Sequence, residues 1–472
     1  MESATPRRSL PRVAESSLEC FSHGISDLIR KKNSRKVKEI VPTPAPAPQF
    51  ALPDDLLEVC LLRLPFASLQ AARLVCKKWL HLTTSPQFLH LRSRDFTHHP
   101  WLFLFGITRS GSSAGEIHAL DTSLNQWHTI RADLLAGRFL FSVAAVGSDI
   151  YVVGGYSNSA DAAALSGRSS LKTHRGVLVF SPLTGKWRKA SPLRVPRSGP
   201  ILGVLKVSSS SSFLQSHRRL ERRHLKRPKL KEYLNEVEES TGKQSSSEAV
   251  GRKTNEEGSR FLLIAAGGRG SWDEPLDSVE VYDPVADQWT AIGKLPEDLG
   301  GAACSGAACG GMFYVYSEAN RLARYDPERG LWAIIETSRP PHGCTPTGRR
   351  SSPPATAACS CSGVSWGDGD RRLGGCEKAL RKLWELDLDL MAWAEVASHP
   401  DAPMDMNAVF FAERSRIYGI EMFKIFGQVL DFLTSCDVSG REVKWNHIST
   451  QHSAHPAAAS SCSTKSMVVL RL

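Results

Sequence analysis

No run of about 18 apolar residues occurs anywhere in the 472-residue chain, so no membrane span is expected. The opening residues, MESATPRRSLPRVAESSLEC, hold no apolar core of signal-peptide length. The expected location is therefore the cytoplasm, the nucleus or both. Eleven cysteines are present, but no two are spaced C-x-x-C. Scattered cysteines in a reducing compartment read as small buried hydrophobes. Cys359 and Cys361, with Cys344 and Cys376 nearby, fit no common zinc spacing, and no metal or cofactor is expected. Neither a phosphate-binding G-x-x-x-x-G-K-[ST] loop nor an H-E-x-x-H helix is present. No catalytic constellation stands out, and the chain is expected to be non-catalytic.

Cationic charge is plentiful overall but scarce outside two segments. The net charge is +11. Residues 1–49 hold nine Lys/Arg against five Asp/Glu, and residues 217–232 hold eight against two. These segments supply ten of the eleven charges, so the remainder is nearly neutral. The basic balance thus describes tails or loops. No aromatic residues interleave with the cluster at 218–231, which argues against nucleic acid as a partner. Within it, Lys226-Arg227-Pro228-Lys229 fits a nuclear-import signal as well as a solvated loop.

With 41% hydrophobic residues, the chain can form a small domain and a large one. Residues 1–49 end in VPTPAPAPQ, whose prolines favour an extended linker, and are expected to be disordered. Residues 50–95 are helical in pattern. Asp54 and Asp55 suit a helix first turn. Leu56, Leu57, Cys60, Leu61 and Leu64 then recur as one stripe, with Val59 and Leu62 outside it. So broad an apolar surface asks for two neighbours, and a domain this small offers one core. The other neighbour is expected to be another protein. Pro65 closes this helix, Ser68 is placed to cap the next, and Ser85-Pro86 opens a further one.

From Trp101 the texture becomes short β-rich runs between turn residues: WLFLFGI, DIYVVGGY, GVLVFSP, RFLLIAAGG, SVEVYDP, MFYVYSE, RIYGIEM. A repeat runs through them. Leu120, Phe180, Tyr282, Tyr325 and Leu386 are each followed seven positions on by Trp127, Trp187, Trp289, Trp332 and Trp393, and a looser unit runs from Asp437 to Trp445. Paired glycines, Gly154-Gly155 and Gly267-Gly268, end two of the upstream strands. A unit this small cannot bury both faces, so the units must stack in a ring. The C-terminal SMVVLRL is expected to close it by pairing with the first unit, which lacks a first strand of its own. Residues 208–258 are too polar to fold alone and read as a disordered insertion between two strands, and residues 337–356 as a second loop.

Residues 52–91 resemble an F-box through Leu52-Pro53, the leucine-rich first helix, Leu64-Pro65, Leu69, Val75-Cys76-Lys77 and Trp79. The β region, 100–472, resembles kelch repeats through its paired glycines and Tyr-to-Trp spacing. Together they resemble the F-box/kelch proteins that are numerous in plants. This resemblance implies a mainly β fold: a kelch-type β-propeller of about six blades behind a small α-helical F-box domain. It also implies the substrate-recognition adaptor subunit of a Skp-cullin-F-box ubiquitin ligase. Such a subunit binds a Skp-type adaptor, through it a cullin and a RING subunit, and a target protein whose identity the sequence does not give. Carried onto this chain, the Skp contacts would come from Leu52, Pro53, Leu56, Leu57, Leu61, Leu64, Pro65, Leu69, Val75, Cys76 and Trp79, some of which must serve the domain's own core. The target would meet loops at one end of the ring, including 156–158, 269–272, 318–321 and 423–424. Those loops, with the starts of two blades, put Arg138, Tyr156, Asn158, Arg197, Arg269, Trp272, Asn320 and Arg321 among the candidates. The alternative is a non-degradative F-box/kelch scaffold. A copper oxidase, known on some kelch propellers, would need a secretion signal and a Cys/Tyr/His ligand set.

Overall fold

A computed structural model describes residues 52–94, 98–106, 115–158, 171–208, 259–299, 303–317, 319, 321–337, 344–348, 358–366, 379–399, 409–413, 415–425, 428–439, 443–448 and 466–472. The N-terminal segment, the basic insertion with Lys226–Lys229, Cys376 and Asn320 lie outside them. No helix among the described residues is long and apolar enough to cross a membrane.

Four short helices come first: α1 (Asp54–Leu62), α2 (Phe66–Ala72), α3 (Lys77–Thr84) and α4 (Pro86–Arg94). Asp54 and Asp55 occupy the first turn of α1, where carboxylates meet the positive helix end. Ser85 caps α4, its hydroxyl accepting the Phe88 amide at 3.1 Å. Ser68 does not cap α2. The helix begins at Phe66 with Pro65 in the cap position, because proline already holds the backbone angle that enters a helix and no side-chain acceptor is used. Leu61, Leu69, Ala72 and Phe88 form the core of this layer, with Leu57, Leu64 and Trp79 against them. Arg92, itself buried, donates to the carbonyls of Leu62 and Leu64 at 2.9 and 2.8 Å, filling acceptors that the end of α1 leaves open.

The remaining described residues form six four-stranded antiparallel sheets and one small three-stranded sheet. The first contains β1 (Pro100–Phe105), β2 (Glu116–Asp121) and β3 (Gln126–Arg131), completed on its inner side by β27 (Ser466–Arg471). The small sheet joins β4 (Arg138–Phe139), β7 (Tyr156–Asn158) and β8 (Leu171–Thr173). The second large sheet is β5 (Ser142–Val146), β6 (Asp149–Val153), β9 (Val177–Ser181) and β10 (Lys186–Ala190). The third is β11 (Ile201–Ser208), β12 (Ser259–Ala266), β13 (Val279–Asp283) and β14 (Gln288–Ile292). The fourth is β15 (Ala303–Cys309), β16 (Met312–Ser317), β17 (Leu322–Asp326) and β18 (Leu331–Ile335). The fifth is β19 (Cys344–Gly348), β20 (Ala358–Trp366), β21 (Ala379–Asp387) and β22 (Ala392–His399). The sixth is β23 (Val409–Glu413), β24 (Arg416–Ile425), β25 (Gln428–Asp437) and β26 (Trp445–Ile448). The inner strands touch in the order β27, β5, β11, β15, β19, β23 and back to β27, which closes the ring of a β-propeller.

The apolar runs are nearly continuous because each inner strand is covered on both faces. In β1, Trp101, Phe103 and Phe105 point toward the second sheet, while Leu102 and Leu104 point toward the sixth. Val468 and Leu470 of β27 follow the first set, and Met467 and Val469 the second. The six repeat tryptophans all stand directly across a strand pair from the residue that heads their repeat unit or its neighbour: Leu120, Phe180, Tyr282, Tyr325, Leu386 and Cys436. Three of them tie each sheet to the one before. The indole N–H groups of Trp289, Trp332 and Trp393 reach Ser191 O, Gly293 O and Thr337 Oγ1 at 2.9, 3.0 and 3.1 Å.

β11 and β12, the strands on either side of residues 209–258 in the sequence, are paired up to their ends, Ser208 with Ser259; residues 209–258 lie outside the described residues. The stretch 337–356, expected as a loop, supplies β19 at Cys344–Gly348. As the innermost strand, β19 has one unpaired edge, which is where a residue without an N–H, here Pro346, is tolerated.

Candidate functional site

Sheet connectivity sorts the surface into two ends. In an antiparallel sheet the third-to-fourth strand turns all fall at one end. The second-to-third connections and the passages between sheets fall at the other. The helical layer enters at β1, a second strand, and so arrives at the turn end. It is fixed there by Arg73, whose guanidinium donates to the carbonyl of Leu183 in the β9–β10 turn, and by Gln70 Nε2 on the same carbonyl at 3.4 Å. Arg73 also donates to Thr83 Oγ1 and O at 3.2 and 2.9 Å, binding α2 to α3. Burial lowers its pKa from the ordinary arginine value. Phe66 meets Trp101 edge-on with ring centres 5.0 Å apart, and Trp101 stacks on His128 at 5.2 Å.

The helical layer divides its leucines between two surfaces. Leu61 and Leu69, expected among the Skp contacts, lie in its core, with Leu69 0% exposed. Leu57, Leu64 and Trp79 pack against that core and are half-buried. A second stripe is left uncovered. Leu52, Pro53, Leu56, Val59 and Cys60 are exposed along α1, as are Pro65, Leu74, Val75, Cys76 and Leu80 beyond it, with Leu56 at 56%. The i, i+3, i+4 spacing of Leu56, Val59 and Cys60 aligns them on one side of the helix. Val59, Leu74 and Leu80 were missed as candidates, although Val59 already fell outside the core stripe by period.

The candidates for target contact among the described residues map to the opposite end, on second-to-third connections or passages between sheets. Three of them are supports for that end and do not reach solvent freely. Arg197 is 0% exposed and pairs with buried Glu280 at 2.6 Å, also donating to Gly267 O and Ser278 O at 3.0 and 2.8 Å. Burial lowers the Arg197 pKa, opposed by Glu280. The half-buried Arg138 donates to Gly154 O and Gly176 O, and burial draws it down to about 10. Tyr156 is buried, its hydroxyl donating to Gly270 O at 3.0 Å. The common reason is the paired glycines. Gly154 and Gly155 take φ of 68° and 108°, which lets the passage at Arg197 run against them. That crossing leaves peptide carbonyls facing inward, and the three side chains satisfy them.

Arg269, Arg321 and Trp272 stay at the surface. Arg269 is exposed and donates to Asp273 O at 3.0 Å, Arg321 is exposed and donates to Asp298 O at 2.7 Å, and Trp272 projects outward. Asn158 lies on β7, and Asn320 falls outside the described residues. Among the described residues no group of three or more His, Cys, Asp or Glu could hold a metal ion. The string G-x-S-x-G occurs at 111–115 and 363–367; β2 follows the first, where a nucleophile elbow would open a helix, and residues 363–366 of the second lie on β20.

A helical module with an uncovered leucine stripe, fixed to one end of a β-propeller, defines a protein-binding chain of two modules. The matches to known proteins agree. The F-box domain model matches residues 50–91, and the Kelch motif model matches 137–194 and 262–296. The F-box/kelch-repeat protein At5g42350 of Arabidopsis thaliana is 40% identical over 97% of this chain and 83% of its own length. At5g42360 of the same plant is 40% identical over 96% and 82%. The chain belongs to the F-box/kelch-repeat family. In general, an F-box joined to kelch repeats makes a substrate-recognition adaptor of Skp-cullin-F-box ligases, the F-box binding a Skp-type adaptor and the kelch domain a target protein.

Proposed function

We propose that this chain is the target-recognition subunit of a Skp-cullin-F-box ubiquitin ligase, delivering a protein held by its propeller for ubiquitination and proteasomal degradation. The observation that carries the reading is the uncovered stripe of the F-box. Leu52, Leu56, Val59, Leu74, Val75 and Leu80 are exposed on a module whose own core is already filled by Leu61, Leu69 and Phe88. Burying such side chains contributes about 1.5–3 kcal/mol each, enough for a lasting interface with a Skp-type adaptor. Cullin and RING subunits would join through that adaptor. Transfer of ubiquitin is the work of those partners. This chain supplies proximity, raising the concentration of target lysines near the charged carrier.

The test is affinity purification of the tagged chain with the proteasome blocked, beside Leu56→Arg combined with Val75→Arg. Both positions are exposed, so the variant keeps its fold. Adaptor and cullin are expected with the wild type and not with the variant. Adaptor without cullin would instead make the chain a non-degradative scaffold. Neither partner with the wild type would end the ligase reading.

A further inference from the structure

Trp272 is 91% exposed, yet the loop beneath it is held firmly. Gly270 N–H donates to Glu274 O at 2.9 Å, and the Glu274 carboxylate accepts the Trp272 amide at 2.7 Å. Arg269 and Ser198 exchange backbone bonds at 2.9 Å each way, tying the loop to the passage from the second sheet. From the small sheet, the hydroxyls of Tyr156 on β7 and Thr173 on β8 donate to Gly270 O at 3.0 and 3.4 Å. A large aromatic offered to water on fixed backbone loses little entropy when something covers it.

The surroundings are cationic. Lys172 precedes Thr173 and Arg175 follows it two positions on, and both are exposed. Arg175 Nε donates to Leu193 O at 2.6 Å, which sets exposed Arg194 beside it. Of the loop's carboxylates, Asp273 is paired with Arg269, and Glu274 accepts the Trp272 amide and keeps its charge, one carboxylate against the three exposed cations Lys172, Arg175 and Arg194. The Lys294–Asp277 pair nearby is internally neutral, as is the buried Arg197–Glu280 pair.

We propose that the Trp272 loop anchors a binding surface spanning the second and third sheets, and that it takes an acidic protein segment carrying an apolar side chain. The apolar group stacks on the indole while Asp or Glu residues beside it meet Lys172, Arg175 and Arg194. This names the chemistry of the target in the reading above, and rests on that reading only for what happens to the target afterwards.

The test uses the full-length chain and a randomised peptide library displayed on phage. Enriched sequences are expected to combine Asp/Glu with an aromatic or aliphatic residue. Trp272→Ala should weaken the best peptide about 30-fold, with most of the affinity restored by Trp272→Phe. Lys172→Glu with Arg194→Glu should weaken it about tenfold and flatten its salt dependence. All these positions are exposed, so folding is not at stake. No enrichment, enrichment without acidic residues, or unchanged affinity in Trp272→Ala would overturn the proposal. Adaptor capture by the same proteins reads the ligase assignment separately, because the F-box sits at the other end of the ring.

Discussion

Arg197 and Arg269 look alike in the sequence, each an arginine within two residues of a turn glycine, and the fold gives them opposite work. Arg197 is fully enclosed with Glu280, whose carboxylate also accepts the amides of Arg194 and Val195 at 2.7 and 3.0 Å. Arg197→Ala strands that carboxylate in the interior and is expected to destabilise the propeller by about 3–5 kcal/mol in chemical denaturation. Arg269→Ala removes an exposed pair and should cost less than about 1 kcal/mol. The difference was not legible in the sequence, because it depends on which peptide carbonyls a neighbouring sheet turns inward. Leu56 and Leu61 teach the same lesson. Both belong to one leucine-rich helix, and the helical period ranks them together until α2 and α4 cover one and not the other.

At the scale of elements much more was legible. The tryptophan repeat locates the outer strand pairs because a pair of strands around a short turn imposes a fixed count between residues that face each other. The closing strand was legible as well, from an apolar run without a partner of its own. What escaped was β19, whose Pro/Ser/Arg-rich surroundings hide a strand that needs only one paired edge. Closure has a polar clasp besides its apolar faces. Arg471 of β27 pairs with Glu413 of β23 at 2.7 and 3.0 Å and donates to His98 O at 3.0 Å. Arg471→Ala is expected to lower stability by about 1.5–3 kcal/mol. Amide hydrogen exchange should then quicken first in β1 and β27, and uniform quickening through all sheets would refute a local clasp.

For the whole molecule the decisive relation is that the F-box and the Trp272 loop lie at opposite ends of the ring. Strands of five or six residues separate them by about 17–20 Å at least. A target bound at the proposed surface would be held away from the adaptor, and the junction at Phe66, Gln70 and Arg73 would fix its direction. Phe66→Ala is expected to leave adaptor binding intact while exposing the join to limited proteolysis. Unchanged protease resistance would show that the Arg73 bond alone holds it. The pairing of β1 with β27 has one more consequence, in time. All the chain from Phe105 to Ser466 must be made between the two, on the order of tens of seconds at about 5–20 residues per second. The F-box emerges first and can begin to fold while β1 still lacks its inner neighbour. A polypeptide halted late in synthesis would therefore carry the exposed leucine stripe beside an unsealed ring and, on the proposed reading, would occupy Skp partners with nothing to deliver.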